Sequence, residues 1–220
     1  MNALLQALQH ADTAFPNGGF AFSQGLEGWS SEGGRPSPEA LFTFIAQQIS
    51  HRWACADRLA LLRAHAAGDL AQTAVIDAAF DRTQTVAVLA EGSRRNGRAL
   101  LASHRRLGTR GADEFARMVA AGGTPGHLPV VQGAMWRAVG MDPETAVLAS
   151  AYAFASGQIA AAIRLNLIGA IAGQGLLSRL LTVIEESAAS EPPEDYCGFT
   201  PFAEIAAMRG ATGESRLFSN

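Results

Sequence analysis

Leu41, Phe44, Ile45, Ile49 and Trp53 recur at intervals of three and four residues, so a helix of 3.6 residues per turn puts them on one face. The helix they predict starts behind Ser37-Pro38 and continues to about Ala66, where the sequence AAGD ends it. Similar patterning predicts helices over about Leu70–Arg82, Thr85–Leu107, Ala112–Ala121, Pro129–Val139, Glu144–Leu165, Ile171–Ala188 and Pro201–Met208. Phe22, Leu26 and Trp29 are spaced to face one side of a further helix near the start. Val and Ile do not alternate with polar residues over any convincing run, so strand signals are scarce. Three helix starts share one device, a capping side chain followed by proline: Ser37-Pro38, Asp142-Pro143 and Thr200-Pro201. The side-chain oxygen can accept an orphan backbone N–H, and proline lacks the donor that would otherwise go unmet. Glu39 and Glu144 add negative charge in the first turn, where the helix dipole favours it. The Gly- and Pro-rich separators are short, so neighbouring helices pack antiparallel. The expected fold class is all-α: a single-domain bundle of about nine to ten helices over residues 1–220, with 190–220 forming a loop, a short helix and a tail.

Composition narrows the functions open to such a bundle. With 48% apolar and 17% charged residues, 220 residues can bury a core without a metal or disulfide. A net charge of -3 gives no global pull towards nucleic acid. All 17 basic residues are arginine, which excludes a lysine Schiff base and the lysine of a phosphate-binding P-loop. Cys55 and Cys197 lie in no CxxC pattern, as expected of a reduced, cytoplasmic protein. The start of the chain lacks the basic and apolar regions of a secretory signal. Thr145–Ile163 is uncharged and long enough to span a membrane. It is rich in Ala, Ser and Gly rather than Leu, Ile and Phe, and so reads as a helix buried inside a soluble bundle.

No catalytic set emerges. The histidines at 10, 51, 65, 104 and 127 form neither HExxH nor HxH. His51 and Cys55, four apart on a helix, could begin a metal site; the plainer reading is a small thiol beside a hydrogen-bonded histidine. Gly173-Gln174-Gly175 follows no strand and lacks the third glycine of a dinucleotide fingerprint, so those glycines serve close helix packing. Arg94–Arg110 is a basic stretch in which Arg94, Arg98 and Arg105 could line one side, with Leu100, Leu101 and Leu107 elsewhere. It could bind phosphate or dock an acidic protein, and a helical nucleic-acid-binding regulator is the alternative reading, although a solvated helix face is usually the better explanation of a charge run.

Four ordered segments carry a family resemblance. FPNGGFAFSQGLEGW (15–29) resembles the P-x-G-G-[FY]-x-x-S-x-G-L-E signature of UreF-type urease accessory proteins. GHLPVVQGAMWRAVGM is similar to that family's G-H-x-P-V-V-x-G segment, and AAIRLNLIGAIAGQGLL to its A-x-R-L-x-P-L-G-Q-x-x-G-Q-x-L-L. EIAAMRGATGESRLF resembles its E-I-A-S-M-x-H-E-x-x-x-S-R-L-F. Gly210-Ala211 stand in place of the usual His-Glu, Leu167 in place of Pro and Ala170 in place of Gln. The residues themselves give no expectation of a cofactor or a resident metal site, and the resemblance implies an all-α, usually dimeric protein with no enzyme activity of its own. It would bridge UreD (also called UreH) to the GTPase UreG, and the assembly would load nickel into the urease apoprotein. Met208, Arg216, Leu217 and Phe218 are then expected to engage the UreD/UreH-type partner, and Arg164 and Gln174 the UreG-type partner. Gly18 and Gly19 are expected to form a tight turn, with Ser23, Gln24 and Glu27 available to cap the helix or face a partner.

Overall fold

The computed structural model describes residues 3–18, 23–33 and 35–212, and among these there is no strand. The elements are α1 (Ala3–Ala11), α2 (Leu26–Gly33), α3 (Pro38–Gln48), a π-helical segment (Ile49–Asp57), α4 (Arg58–Ala66), α5 (Leu70–Asp81), α6 (Ala87–Arg106), α7 (Ala112–Ala120), α8 (Leu128–Ala138), α9 (Pro143–Arg164), α10 (Ala170–Ala189) and α11 (Pro201–Thr212). The run from α3 through the π-helical segment to α4 is unbroken, so the described residues form ten separate rods. The all-α expectation holds. α1 has no counterpart among the helices predicted from patterning, because Leu4, Leu5 and Leu8 form a face that stays exposed.

Two of the three expected caps form as anticipated. The Ser37 hydroxyl accepts from the Ala40 N–H at 3.1 Å and the Asp142 carboxylate from Thr145 at 2.8 Å. At Thr200 the direction is reversed: Glu204 reaches back one turn and its carboxylate accepts from the Thr200 N–H at 3.0 Å.

The apolar faces close two large clusters. One joins the α3–π run to α9 and α10 and holds Ile45, Ile49, Trp53, Ile159, Leu180 and Ile184. The other lies among α4, α5, α6, α7 and α8 and holds Phe80, Leu100, Leu101, Phe115, Val131 and Met135. α9 is long and apolar enough to cross a membrane, yet 61% of its most apolar window is buried inside the protein, as the packed-helix reading requires. α8 lies unusually near α4, since a Cβ on Gly133 would stand 2.3 Å from the Leu61 carbonyl oxygen.

Some of the polar groups inside the bundle are paired into networks. The buried Asp77 carboxylate accepts from the Thr124 hydroxyl, the Gly126 N–H and the His127 N–H at 2.6, 2.6 and 3.1 Å, which fixes the approach to α8. The His127 ring then bridges Asp81 through Nε2 at 2.8 Å and Ser93 through Nδ1 at 3.0 Å. Burial opposes ionisation of Asp81, but the bonds from His127 and Arg94 outweigh it and hold the carboxyl below its ordinary value. The GHLP segment is thus a folding device: a capped turn that ties α5, α6 and α8 together.

A second buried pair behaves differently. His10 and His104 stack with centroids 5.2 Å apart, next to Phe15 and Trp136. Burial, reinforced by the neighbouring His10, lowers the His104 pKa from 6.5 to about 4, and burial lowers that of His10. A ring that stays neutral in the folded chain but takes up a proton in the unfolded chain makes acid favour unfolding. Stability from this pair is therefore whole above pH 6.5 and is lost as pH falls towards about 4. Thermal midpoints measured across that window should decline, and His104→Phe should flatten the decline; equal slopes for both proteins would contradict the assignment.

Candidate functional site

The second and the last of the described helices meet where α11 lies across α2. Gly25 has φ 96°, and a Cβ there would stand 2.6 Å from the Ala203 carbonyl oxygen. A Cβ on Gly28 would stand 1.9 Å from the Ala206 carbonyl oxygen, closer than any side chain tolerates. From the other side, a Cβ on Gly210 would stand 3.0 Å from the Gly28 nitrogen. Ala203, Ala206 and Ala207 are buried against this contact. The two backbones approach because small residues face each other, and a larger residue at 210 would press on the Gly28 backbone. Aromatic rings seal one end: Trp29 stacks on Phe44 at 4.8 Å, and Phe202 meets both edge-on at 5.5 and 5.9 Å.

The outer side of α11 is apolar and open. Phe199, Phe202, Ile205 and Met208 are 68%, 53%, 44% and 47% exposed. Four large apolar side chains within ten residues form a patch of the kind that marks a protein-binding surface.

The connector 190–200 delivers α11 to this position, and the α3–π–α4 run holds the connector. Arg58 is 2% exposed, and its guanidinium donates to the carbonyls of Ser187, Ala188 and Ser190 at 2.6, 3.0 and 2.9 Å. It thereby satisfies the orphan carbonyls at the end of α10 and meets the negative pole of that helix. Arg63 donates to the Glu194 carbonyl and lies 4.9 Å over the Tyr196 ring. The Cys197 and Phe199 N–H groups donate to the Cys55 and His51 carbonyls at 3.3 and 3.0 Å.

The sequence-predicted residues divide between this face and other places. Gly18 has φ 76° and abuts Ala99 and Asn96 of α6, so it needs both the conformation and the space of glycine. Ser23 is buried, and its hydroxyl accepts from the Glu27 N–H at 3.4 Å, so it sits at the base of α2 and points inward. Gln24, in a left-handed conformation at φ 49°, lines a cavity of about 90 Å³ together with Arg52, Asp57, Asn96, Gln132 and Gln158. Glu27 is half-buried on α2. Met208 joins the apolar patch. Arg164, at the end of α9, is half-buried, and burial lowers its pKa; Gln174, on α10, is exposed. The turn between them is closed by Asn166 at φ 56°, and the Leu167 N–H donates to the Ala162 carbonyl at 2.9 Å, a bond that a proline there could not make. Nearby Gly173 is buried against Ile159 and Ile163, which accounts for one of the two glycines around Gln174. Gly19, Phe22, Arg216, Leu217 and Phe218 lie outside the described residues.

The basic stretch is largely committed within the chain. Arg94 pairs with Asp81 and Glu91, Arg98 with Glu91, and Arg105 with Asp113. Leu100 and Leu101 are buried, whereas Leu107 is exposed. His51 is exposed on the π-helical segment, the Cys55 thiol donates to the Ser50 carbonyl at 3.4 Å, and no group of three or more potential ligands occurs among the described residues. Arg58 and Arg63 were not singled out from sequence. A charged residue inside the apolar run RLALL was the available signal for Arg58. The paired small-residue spacings in QGLEG and AAMRG were the signal for the α2–α11 contact.

A family model described as UreF matches residues 36–181. The urease accessory protein UreF of Trichodesmium erythraeum is 30% identical over 226 residues, covering 98% of this chain and 96% of that protein. UreF of Dechloromonas aromatica is 31% identical over 224 residues, covering 98% and 96%. UreF 1 of Brucella melitensis is 32% identical over 229 residues, covering 99% and 92%.

Two substitutions probe how the face is held. Arg58→Met leaves the α10 carbonyls unsatisfied and should lower unfolding free energy by about 2–4 kcal/mol in urea titration, with Arg58→Lys recovering part of the loss. Gly28→Ala forces α2 and α11 apart; it should destabilise by about 1–3 kcal/mol and speed chymotryptic cleavage at Tyr196 or Phe199. An unchanged cleavage rate would show that the glycine contact does not fix the helix.

Proposed function

Since the chain belongs to the UreF family of urease accessory proteins, we propose that it is a non-enzymatic scaffold that bridges a UreD/UreH-type protein to a UreG-type GTPase during nickel insertion into urease. The observation that carries this reading is the α2–α11 face. The inner side of α11 is fixed by glycine and alanine contacts, while Phe199, Phe202, Ile205 and Met208 stand outward. Such a surface suits an apolar groove on the UreD/UreH-type partner, with Met208 central and Leu217 and Phe218 extending the contact beyond it. Arg216 adds charge-assisted bonds to acidic or carbonyl groups there. Arg164 and Gln174 flank the turn between α9 and α10 and form the side offered to the UreG-type GTPase. The chain has no P-loop lysine, in keeping with GTP being bound and hydrolysed by the partner.

Residues 1–220 act as one domain, in the cytoplasm and as a homodimer. Exposed Leu5 and Leu8 on α1 offer a second apolar surface for a like chain. Nickel is cargo for the assembly rather than a resident cofactor. A role in binding nucleic acid through Arg94–Arg110 draws little support, since Arg94, Arg98 and Arg105 are already paired with carboxylates.

Co-expression with the UreD/UreH-type protein, the UreG-type GTPase and urease apoprotein tests the proposal. The intact chain should co-purify with both accessory partners and raise the nickel content of urease. Ile205→Asp with Met208→Asp should keep the helical circular dichroism, reduce UreD/UreH-type binding roughly tenfold or more and lower urease nickel accordingly. Full binding and full nickel loading by the double variant would remove the face from the account.

A further inference from the structure

We propose that Cys55 and Cys197 form a reversible disulfide that clamps the connector 190–200 onto the π-helical segment. The two thiols come from residues 142 positions apart, yet their backbones are already joined, the Cys197 N–H donating to the Cys55 carbonyl at 3.3 Å. Two residues on, Phe199 makes the same kind of bond to His51, so the connector runs in register along the carbonyls of the π-helical segment. Gly198 lets the connector lie this close, since a Cβ there would stand 3.0 Å from that of Ala56. Both thiols are free in the reduced chain, and Cys197 lies near enough to Cys55 to raise its pKa beyond what burial does. Backbones already joined in this way need little movement to bring the two sulfurs to disulfide geometry.

Exposure orders the chemistry. Cys197 is exposed and Cys55 half-buried, with burial pushing the Cys55 thiol pKa up. The Cys197 thiolate attacks hydrogen peroxide, the O–O bond breaks, and a sulfenic acid forms with release of one water after proton uptake. The Cys55 sulfur then displaces the sulfenic oxygen as a second water, its thiol proton leaving with it, and the S–S bond forms. In sum, two thiols lose two electrons and two protons, and one hydrogen peroxide becomes two waters. A dithiol reductant reverses the change. The Cys55 bond to the Ser50 carbonyl, 3.4 Å and weak as thiol bonds are, is given up.

The clamp joins the connector that carries α11 to the helix run that organises the core. It closes a long loop, which constrains the unfolded chain most. The test uses the full-length chain, reduced and then exposed to stoichiometric hydrogen peroxide. Titratable thiols should fall from the two of the reduced chain to none without dimer formation on a non-reducing gel. Peptide mass mapping should show the Cys55 peptide linked to the Cys197 peptide, two hydrogens lighter than the pair. The thermal midpoint should rise by about 5–10 °C and return with dithiothreitol. Cys55→Ser and Cys197→Ser should each abolish the rise. Thiols lost to sulfinic acid or to links between chains, or an intramolecular link without any change in midpoint, would overturn the proposal; peptide mapping of the unaltered chain decides it even if a variant folds poorly.

Discussion

A buried guanidinium at the end of a helix decides where the last part of this chain goes. Arg58 is enclosed in the core, where burial weakens its hold on its proton, and it is compensated by backbone oxygens of Ser187, Ala188 and Ser190. A charge taken out of water is costly unless its donors are met. Here it supplies donors to carbonyls that the helix leaves unpaired at the negative pole of α10, beside the bond that the Ser190 hydroxyl gives Ser187. The interaction therefore couples two needs, and it pins the exit of α10 to the start of α4. From that point Arg63, Cys55 and His51 hold the connector, and α11 arrives over α2 with its orientation set.

Orientation gives α11 two sides with different tasks. Glycines at 25, 28 and 210 let its backbone reach α2, which leaves no room for the helix to roll. The aromatic contacts of Phe202 with Trp29 and Phe44 add a second point of fixation. What remains outward is a row of large apolar side chains held on a rigid support. A surface ordered before binding loses less conformational entropy when a partner arrives, so contacts of ordinary size can bind tightly. Proteins that assemble others without doing chemistry gain most from such preorganisation.

Much of the fold was legible because it rests on local rules. Ser37 and Asp142 cap as their side-chain chemistry requires, and the apolar spacing from Leu41 to Trp53 does lie on the buried side. The widened π turn at Ile49–Asp57 was not legible, since a few residues of altered pitch scarcely disturb an apolar pattern. α1 was missed for the opposite reason: its leucines point outward, so periodicity found no core to serve. Long-range partners lay beyond reach altogether. Arg58 and Ser187 are 129 residues apart, and nothing in the spacing around either names the other. Of the candidate site, Met208 could be placed by its amphipathic helix, whereas the inward turn of Ser23 depends on how α2 meets the rest of the chain.

The central claim is that α11 is already docked on α2 before any partner binds. Amide hydrogen–deuterium exchange of the chain, alone and with the proposed UreD/UreH-type partner, tests this most directly. The account predicts that the amides of α2 and α11 are protected together in the isolated chain, and that binding adds protection over 199–212. Rapid exchange throughout α11 until the partner is added, or new protection confined to Arg94–Arg110, would contradict it.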